Sequence, residues 1–203
     1  MGISLITKAG LGTSPITSLA FVLTFIFPHS LGEFTMLVNT VMFLIQAALL
    51  GKAFGKIQLL QLPAALLFSA CIDGWMYILG FWKTGSYVGQ VLMLLLGCVF
   101  LGLGIAFEVI PNVLILPGEG LVRVIAGLTG WRFGLVKTGF DMSIVASAVG
   151  VSLFFTGHVL GIREGTVLAA LIVGSISHFF IEKVSNVLEG WIPDYSDAGD
   201  ACP

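Results

Sequence analysis

Gly12-Thr13-Ser14-Pro15-Ile16-Thr17-Ser18-Leu19 has a counterpart 102 positions later in Leu114-Ile115-Leu116-Pro117-Gly118-Glu119-Gly120-Leu121. In each stretch a proline opens an apolar run of about 12 to 14 residues, or roughly 18 to 21 Å of helix, well short of a ~30 Å hydrocarbon core. Pro suits a first helical position, where its missing N–H is not needed. Residues 15–28 and 117–128 therefore read as half-length helices. The same offset lays Gly2 on Gly104, Ile3 on Ile105, Val22 on Val124, Gly32 on Gly134 and Gly55 on Gly157. With Pro15/Pro117 and Leu19/Leu121 this makes seven identities between 2–55 and 104–157, against about four expected by chance in so Gly- and Leu-rich a chain. Several interrupting Pro and Gly positions coincide without a gap, and the polar Asn39 falls on Asp141. A duplicated, interrupted, polar-spotted membrane unit is the pattern of a solute transporter.

Composition agrees with a membrane setting. Hydrophobic residues make up 57 % of the 203, charged residues only 10 %, and mean hydropathy is +1.06. About a quarter of a soluble domain is charged. A net charge of −2 without a basic patch gives no sign of a nucleic-acid partner. Cys71 and Cys98 lie inside apolar runs and Cys202 in the tail, which reads as free thiols. The start of the chain lacks a basic region followed by a small-residue cleavage site, so no signal peptide is read there.

Segments 32–51, 58–80, 87–109 and 133–156 are long and apolar enough to span, and 165–181 is a shorter fifth. Continuous apolar runs exclude barrel strands. The fold expected is all-α: a polytopic membrane bundle of about five spanning helices and two half-length helices, built from two inverted repeats. Residues 1–80 form the first repeat and 87–182 the second, with an acidic, flexible tail at 189–203. Residues 1–9 read as the end of a helix whose first part the second unit has and the first lacks. Placing Lys52 and Lys56 inside puts six basic residues in the cytoplasm (with Arg123, Arg132, Lys137 and Lys183) against Lys8, Lys83 and Arg163 outside. That orientation inverts one unit on the other and leaves the C-terminus in the cytoplasm.

A helix start offers unpaired N–H groups and a positive dipole end, both suited to anions. Gly12, Thr13, Ser14, Thr17 and Ser18 at the first start, and Pro117, Gly118, Glu119 and Gly120 at the second, are therefore candidate solute-binding residues. An ordinary loop and N-cap explains them equally well. Asn39, Lys137 and Asp141 are polar groups within spans, and such groups are functional candidates; Lys137 and Asp141, four apart, can also form a self-neutralising pair. Asn39 also suits a helix–helix hydrogen bond. Asp73 and His178 sit late in their spans and align when the offset is moved to 105, a placement that suits proton coupling or hydrated interfacial sites. Glu119 and Arg123 are spaced for a local i,i+4 salt bridge, and Glu108, at a span end, for an interfacial site. No nucleophile elbow, paired metal ligands, CxxC or P-loop is present, so the sequence suggests no enzyme, cofactor or metal.

Leu11-Gly12-Thr13-Ser14-Pro15 with Gly32-Glu33-Phe34-Thr35 and Asn39 resembles the first half of the YczE/YyaS/YitT family of small bacterial membrane proteins. Leu116-Pro117-Gly118-Glu119-Gly120-Leu121 and Phe133-Gly134-x-x-Lys137-x-x-x-Asp141 resemble its second half. The resemblance covers roughly 2–180 and implies a multi-pass protein of the bacterial cytoplasmic (inner) membrane with about five helices. It brings no assigned activity or binding residues. The expected function is a secondary transporter or permease for a small, anionic solute. Two alternatives are a non-transporting accessory that scaffolds or regulates a partner, and a passive channel. The partners expected are the lipid bilayer, the solute and a second copy of the chain.

Overall fold

The structure, a computed structural model, describes residues 1–51, 54–82, 85–109 and 115–189; the side chains of Lys56, Val109, Phe133, His178, Ile181, Glu182 and 184–189 lie outside that description. Every element among the described residues is helical. In order they are α1 (Gly2–Lys8), α2 (Ser18–Ile26, entered through a 3-10 turn at Pro15–Thr17), α3 (Leu31–Leu50), α4 (Gln61–Ile78), α5 (Tyr87–Val109), α6 (Pro117–Thr129), α7 (Phe133–Thr156) and α8 (Glu164–Glu189). Further 3-10 turns at Lys56–Leu60 and Leu79–Phe81 flank α4.

Local sequence sets the boundaries. Ser30 caps α3 by accepting from Glu33 N, while the Glu33 carboxylate accepts from Ser30 N, a reciprocal capping box. Pro15 and Pro117 open their short helices. Gly130 and Gly157 end α6 and α7 at φ 69° and 72°, a left-handed turn that glycine adopts without a Cβ penalty.

Among the described residues, Leu31–Leu50, Ile57–Phe81, Tyr87–Glu108 and Gly134–Thr156 are long and apolar enough to cross a membrane. The expected fifth span, 165–181, falls in α8 (Glu164–Glu189), whose apolar stretch Glu164–Ser177 runs up to His178, a residue with its side chain outside the described set. Pro15–Ile26 and the 13-residue α6 are short, as expected. At 1.5 Å per residue they reach about 20 Å. Lys52, Lys83, Cys202 and all but the first residue of the expected 189–203 tail lie outside the described residues.

Glycines let the helices approach. A Cβ on Gly2 would fall 2.6 Å from Leu101 N, and one on Gly97 would fall 2.9 Å from Ile6 N, so α1 lies backbone-to-backbone on α5. Residues Gly2 to Thr7 are buried throughout. On the other side of α5, Gly102 receives Ile176 of α8. Ile6, Leu94, Cys98 and Ala169 form the core of this α1–α5–α8 group. Ile3, Ala20, Leu31, Phe34 and Ile72 form a second core joining α1 to α4. The short helices pack crosswise, α2 on α7 and α6 on α3. Only 11 % of the apolar window of α7 is buried, and Phe154 stands 85 % exposed. Such an apolar outer surface suits lipid.

Candidate functional site

The first proline motif folds into a closed web of hydroxyls. Gly12 takes φ 125°, open only to glycine, and turns the chain toward α8. There Thr13 N donates to Thr166 Oγ1 (3.1 Å), Gly165 N donates to Leu11 O (2.8 Å) and Arg163 Nη1 donates to Gly10 O (3.2 Å). Thr13 Oγ1 bonds Thr7 Oγ1 at 2.9 Å and Thr17 Oγ1 at 3.0 Å, and Ser14 Oγ meets Thr17 Oγ1 at 2.7 Å. Ser18 Oγ donates to Pro15 O at 2.6 Å. Thr13, Ser14, Thr17 and Ser18 are all buried. A solute at this motif would have to displace bonds the protein already makes with itself.

The second motif meets the first. Pro117, Gly118, Glu119 and Gly120 are buried at the start of α6, and a Cβ on Gly118 would fall 2.5 Å from Ile16 Cδ1. The two short-helix starts thus touch in apolar packing. At the N-cap of α6, Leu116 N donates to Glu108 Oε1 at 2.7 Å. Glu108, expected at an interface, folds back to cap α6 from α5.

Glu119 joins α6 to α7. Its Oε1 lies 3.1 Å from Lys137 Nζ, which also donates to Asp141 Oδ1 at 3.2 Å. The side chains of Glu119, Lys137 and Asp141 are 11 %, 24 % and 19 % exposed. One ammonium is shared by two carboxylates beside a helix too short to span. The expected Lys137–Asp141 pair is therefore part of a larger triad. Glu119 reaches Lys137 on the neighbouring helix, while Arg123, one turn on, lines a cavity beside α6.

Asp73 has a structural task. Its Oδ1 accepts from Gly32 N at 2.7 Å and its Oδ2 from Ser30 Oγ at 2.5 Å, so α4 clamps the start of α3. Gly32 permits this, since a Cβ there would meet Ser69 O and Asp73 Oδ2. His178 lies on α8 with its side chain outside the described residues.

Asn39 belongs to a buried stripe, Thr35, Asn39, Met42 and Gln46, along α3. Met42 and Gln46 of that stripe approach Gly118 and Gly120 of α6. The stripe ends at a cavity of about 250 Å³ between α3, α4 and α6. Gln46, Gln58, Gln61, Gly120, Arg123 and Val124 line it, with two isoleucines. Gln46 and Gln61 are 2 % and 5 % exposed, and the Oε1 atoms of Gln46, Gln58 and Gln61 have no hydrogen-bond partner. Sequence reasoning passed over these glutamines. Gln46 sits in a span, which marks a polar residue at membrane depth, but its convergence with Gln58 and Gln61 depends on how α3 and α4 pack. No cluster of three or more His, Cys, Asp or Glu able to hold a metal occurs among the described residues.

A family model described as a family of unknown function (DUF6198) matches residues 1–182. The chain is 27 % identical over 203 residues to "Uncharacterized membrane protein YczE" of Bacillus subtilis (strain 168), covering 100 % of this chain and 89 % of that one. It is 28 % identical over 188 residues to "Uncharacterized protein YyaS" of the same organism, covering 91 % and 87 %. No solved structure matches.

Proposed function

The chain belongs to that family of unknown function and is a membrane protein, and we propose that it is a secondary transporter of a small polar solute, with the Glu119–Lys137–Asp141 triad as its coupling group. The observation that carries this reading is the ion pairing of Glu119, on the short α6, with Lys137 on the span-length α7, where Lys137 also pairs with Asp141. Ionisable groups at membrane depth cost several kcal/mol when unpaired, and buried ion networks stabilise a fold weakly if at all against apolar packing. Here the network ties a half-length helix to a spanning one, and paired ionisable groups inside membrane segments mark ion pathways and proton relays. Exchange of a proton or small cation at the triad would change the tie between α6 and α7. The element boundaries support a duplicated unit as well. Adding 102 to 15–26 and 31–50 gives 117–128 and 133–152, inside or nearly coincident with α6 and α7. The crosswise packing of α2 on α7 and α6 on α3 suits two units facing each other, which in this reading are inverted in the membrane.

The solute class departs from the anion expected of helix starts. Backbone N–H groups just before both starts are engaged, Leu116 N by Glu108 and Thr13 N by Thr166, and the cavity beside α6 offers another place for a solute. The experiment is uptake by proteoliposomes under an imposed pH or sodium gradient, with a panel of small anionic, neutral and cationic solutes. Saturable, gradient-dependent uptake of one class supports the reading. Folded, correctly inserted protein that moves none of them overturns it and favours a non-transporting accessory.

A further inference from the structure

A buried carboxamide oxygen without a partner carries a desolvation penalty, and three such oxygens belong to glutamines that line one small space here. Gln46 comes from the last part of α3, Gln61 from the first residue of α4 and Gln58 from the turn before it. Gly120 of α6 closes the space: a Cβ there would fall 3.0 Å from Gln46 Oε1, 3.2 Å from Gln46 Nε2 and 3.3 Å from Gln61 Nε2. Any larger residue would fill the place where the two amides come together. The cavity, about 250 Å³, lies just under the ~300–1,000 Å³ of ordinary ligand pockets. It suits a molecule of metabolite size.

Chemistry narrows the occupant. None of the lining residues is a carboxylate and one, Arg123, is a cation, which disfavours a cationic occupant. The unpartnered atoms are acceptors, so the occupant must bring N–H or O–H donors, which a carboxylate lacks. A carboxamide carries an N–H donor and a C=O acceptor side by side and is complementary to a glutamine amide in either of its two orientations. We propose that this cavity binds a small neutral amide, of the primary carboxamide or urea class, through Gln46, Gln58 and Gln61. This names the solute class of the transporter reading and rests on it for the claim that the bound molecule is carried. Binding itself stands apart from flux.

The test is equilibrium binding to the full chain in lipid nanodiscs, by calorimetry. The probes are malonamide and its charged isostere malonate, with urea and acetamide as smaller members of the class. Malonamide is expected to bind saturably and malonate at least tenfold more weakly. Gln46→Leu and Gln61→Leu should each weaken malonamide at least tenfold. Each removes an unpartnered buried oxygen, so the variant should unfold no earlier than the parent; thermal unfolding checks this. Gly120→Ala, which crowds Gln46, should weaken binding while leaving the glutamines in place. Malonamide binding without any flux supports the site and overturns only the transporter reading. Absence of binding by any amide to folded protein, a preference for malonate, or binding unaffected in a folded Gln46→Leu protein overturns the site and leaves a cavity filled by water.

Discussion

Ile16, in the turn that opens the first short helix, rests on Gly118 at the start of the second, where a Cβ would fall 2.5 Å from Ile16 Cδ1. The two proline motifs, 102 positions apart in sequence, thus meet through one methyl group and one absent side chain. Because Cδ1 is the free end of a flexible side chain, Gly118→Ala should be mild. Gly118→Val should destabilise by about 1–3 kcal/mol through overpacking, and Ile16→Ala should recover part of that loss. A double-mutant cycle on thermal unfolding in detergent reads the coupling. Additive losses would show that the two starts do not press on each other.

Asp73 holds the first turn of α3 from a neighbouring helix. Asp73→Ala leaves Gly32 N without its acceptor and should cost about 1–3 kcal/mol. Asp73→Asn keeps an acceptor oxygen but loses the charge that favours a helix start, so its loss should be smaller. Chemical denaturation of the two variants would rank them. Equal losses would place the effect in the charge alone.

The hydroxyl web predicts that Thr13→Val is costly although it keeps the side-chain shape. It removes the bonds to Thr7 Oγ1 and Thr17 Oγ1, at about 1–3 kcal/mol in a buried setting. Malonamide affinity should stay within twofold of the parent, since the web lies apart from the glutamine cavity. A large loss of affinity in a folded Thr13→Val protein would place the solute at the first proline motif.

Lys137 predicts a strongly non-additive pattern. Lys137→Met leaves Glu119 and Asp141 buried without a cation and should destabilise by about 3–5 kcal/mol. Adding Glu119→Gln and Asp141→Asn should return most of that stability, because replacing a whole buried network is often near neutral. Thermal unfolding of the single and triple variants tests this. A triple variant no more stable than the single one would show that packing, and not charge balance, is what Lys137 supplies.

What could be read in advance followed the range of the interactions. Apolar run length set α3, α5 and α7, read at 32–51, 87–109 and 133–156 and found at Leu31–Leu50, Tyr87–Val109 and Phe133–Thr156. Pro15 and Pro117 marked the short helices because a proline preference acts at its own position. The capping box of Ser30 and Glu33 was equally local and legible as S-x-x-E, yet it was passed over. The 165–181 segment lies within α8, Glu164–Glu189. Contacts between helices were out of reach. Asp73 meets Gly32 across 41 positions, and Glu119 meets Lys137 on another helix. Gln46, Gln58 and Gln61 carry no pattern in sequence, and only the packing of α3 and α4 on Gly120 brings them together.

The most direct measurement is malonamide uptake by proteoliposomes under an imposed pH gradient, comparing the parent chain with the Lys137→Met, Glu119→Gln, Asp141→Asn triple variant. The account predicts saturable, gradient-dependent uptake by the parent. The triple variant should bind malonamide within twofold of the parent and lose the response to the gradient. Gradient-driven uptake that survives in the triple variant, or a parent that binds malonamide and moves none, would contradict it.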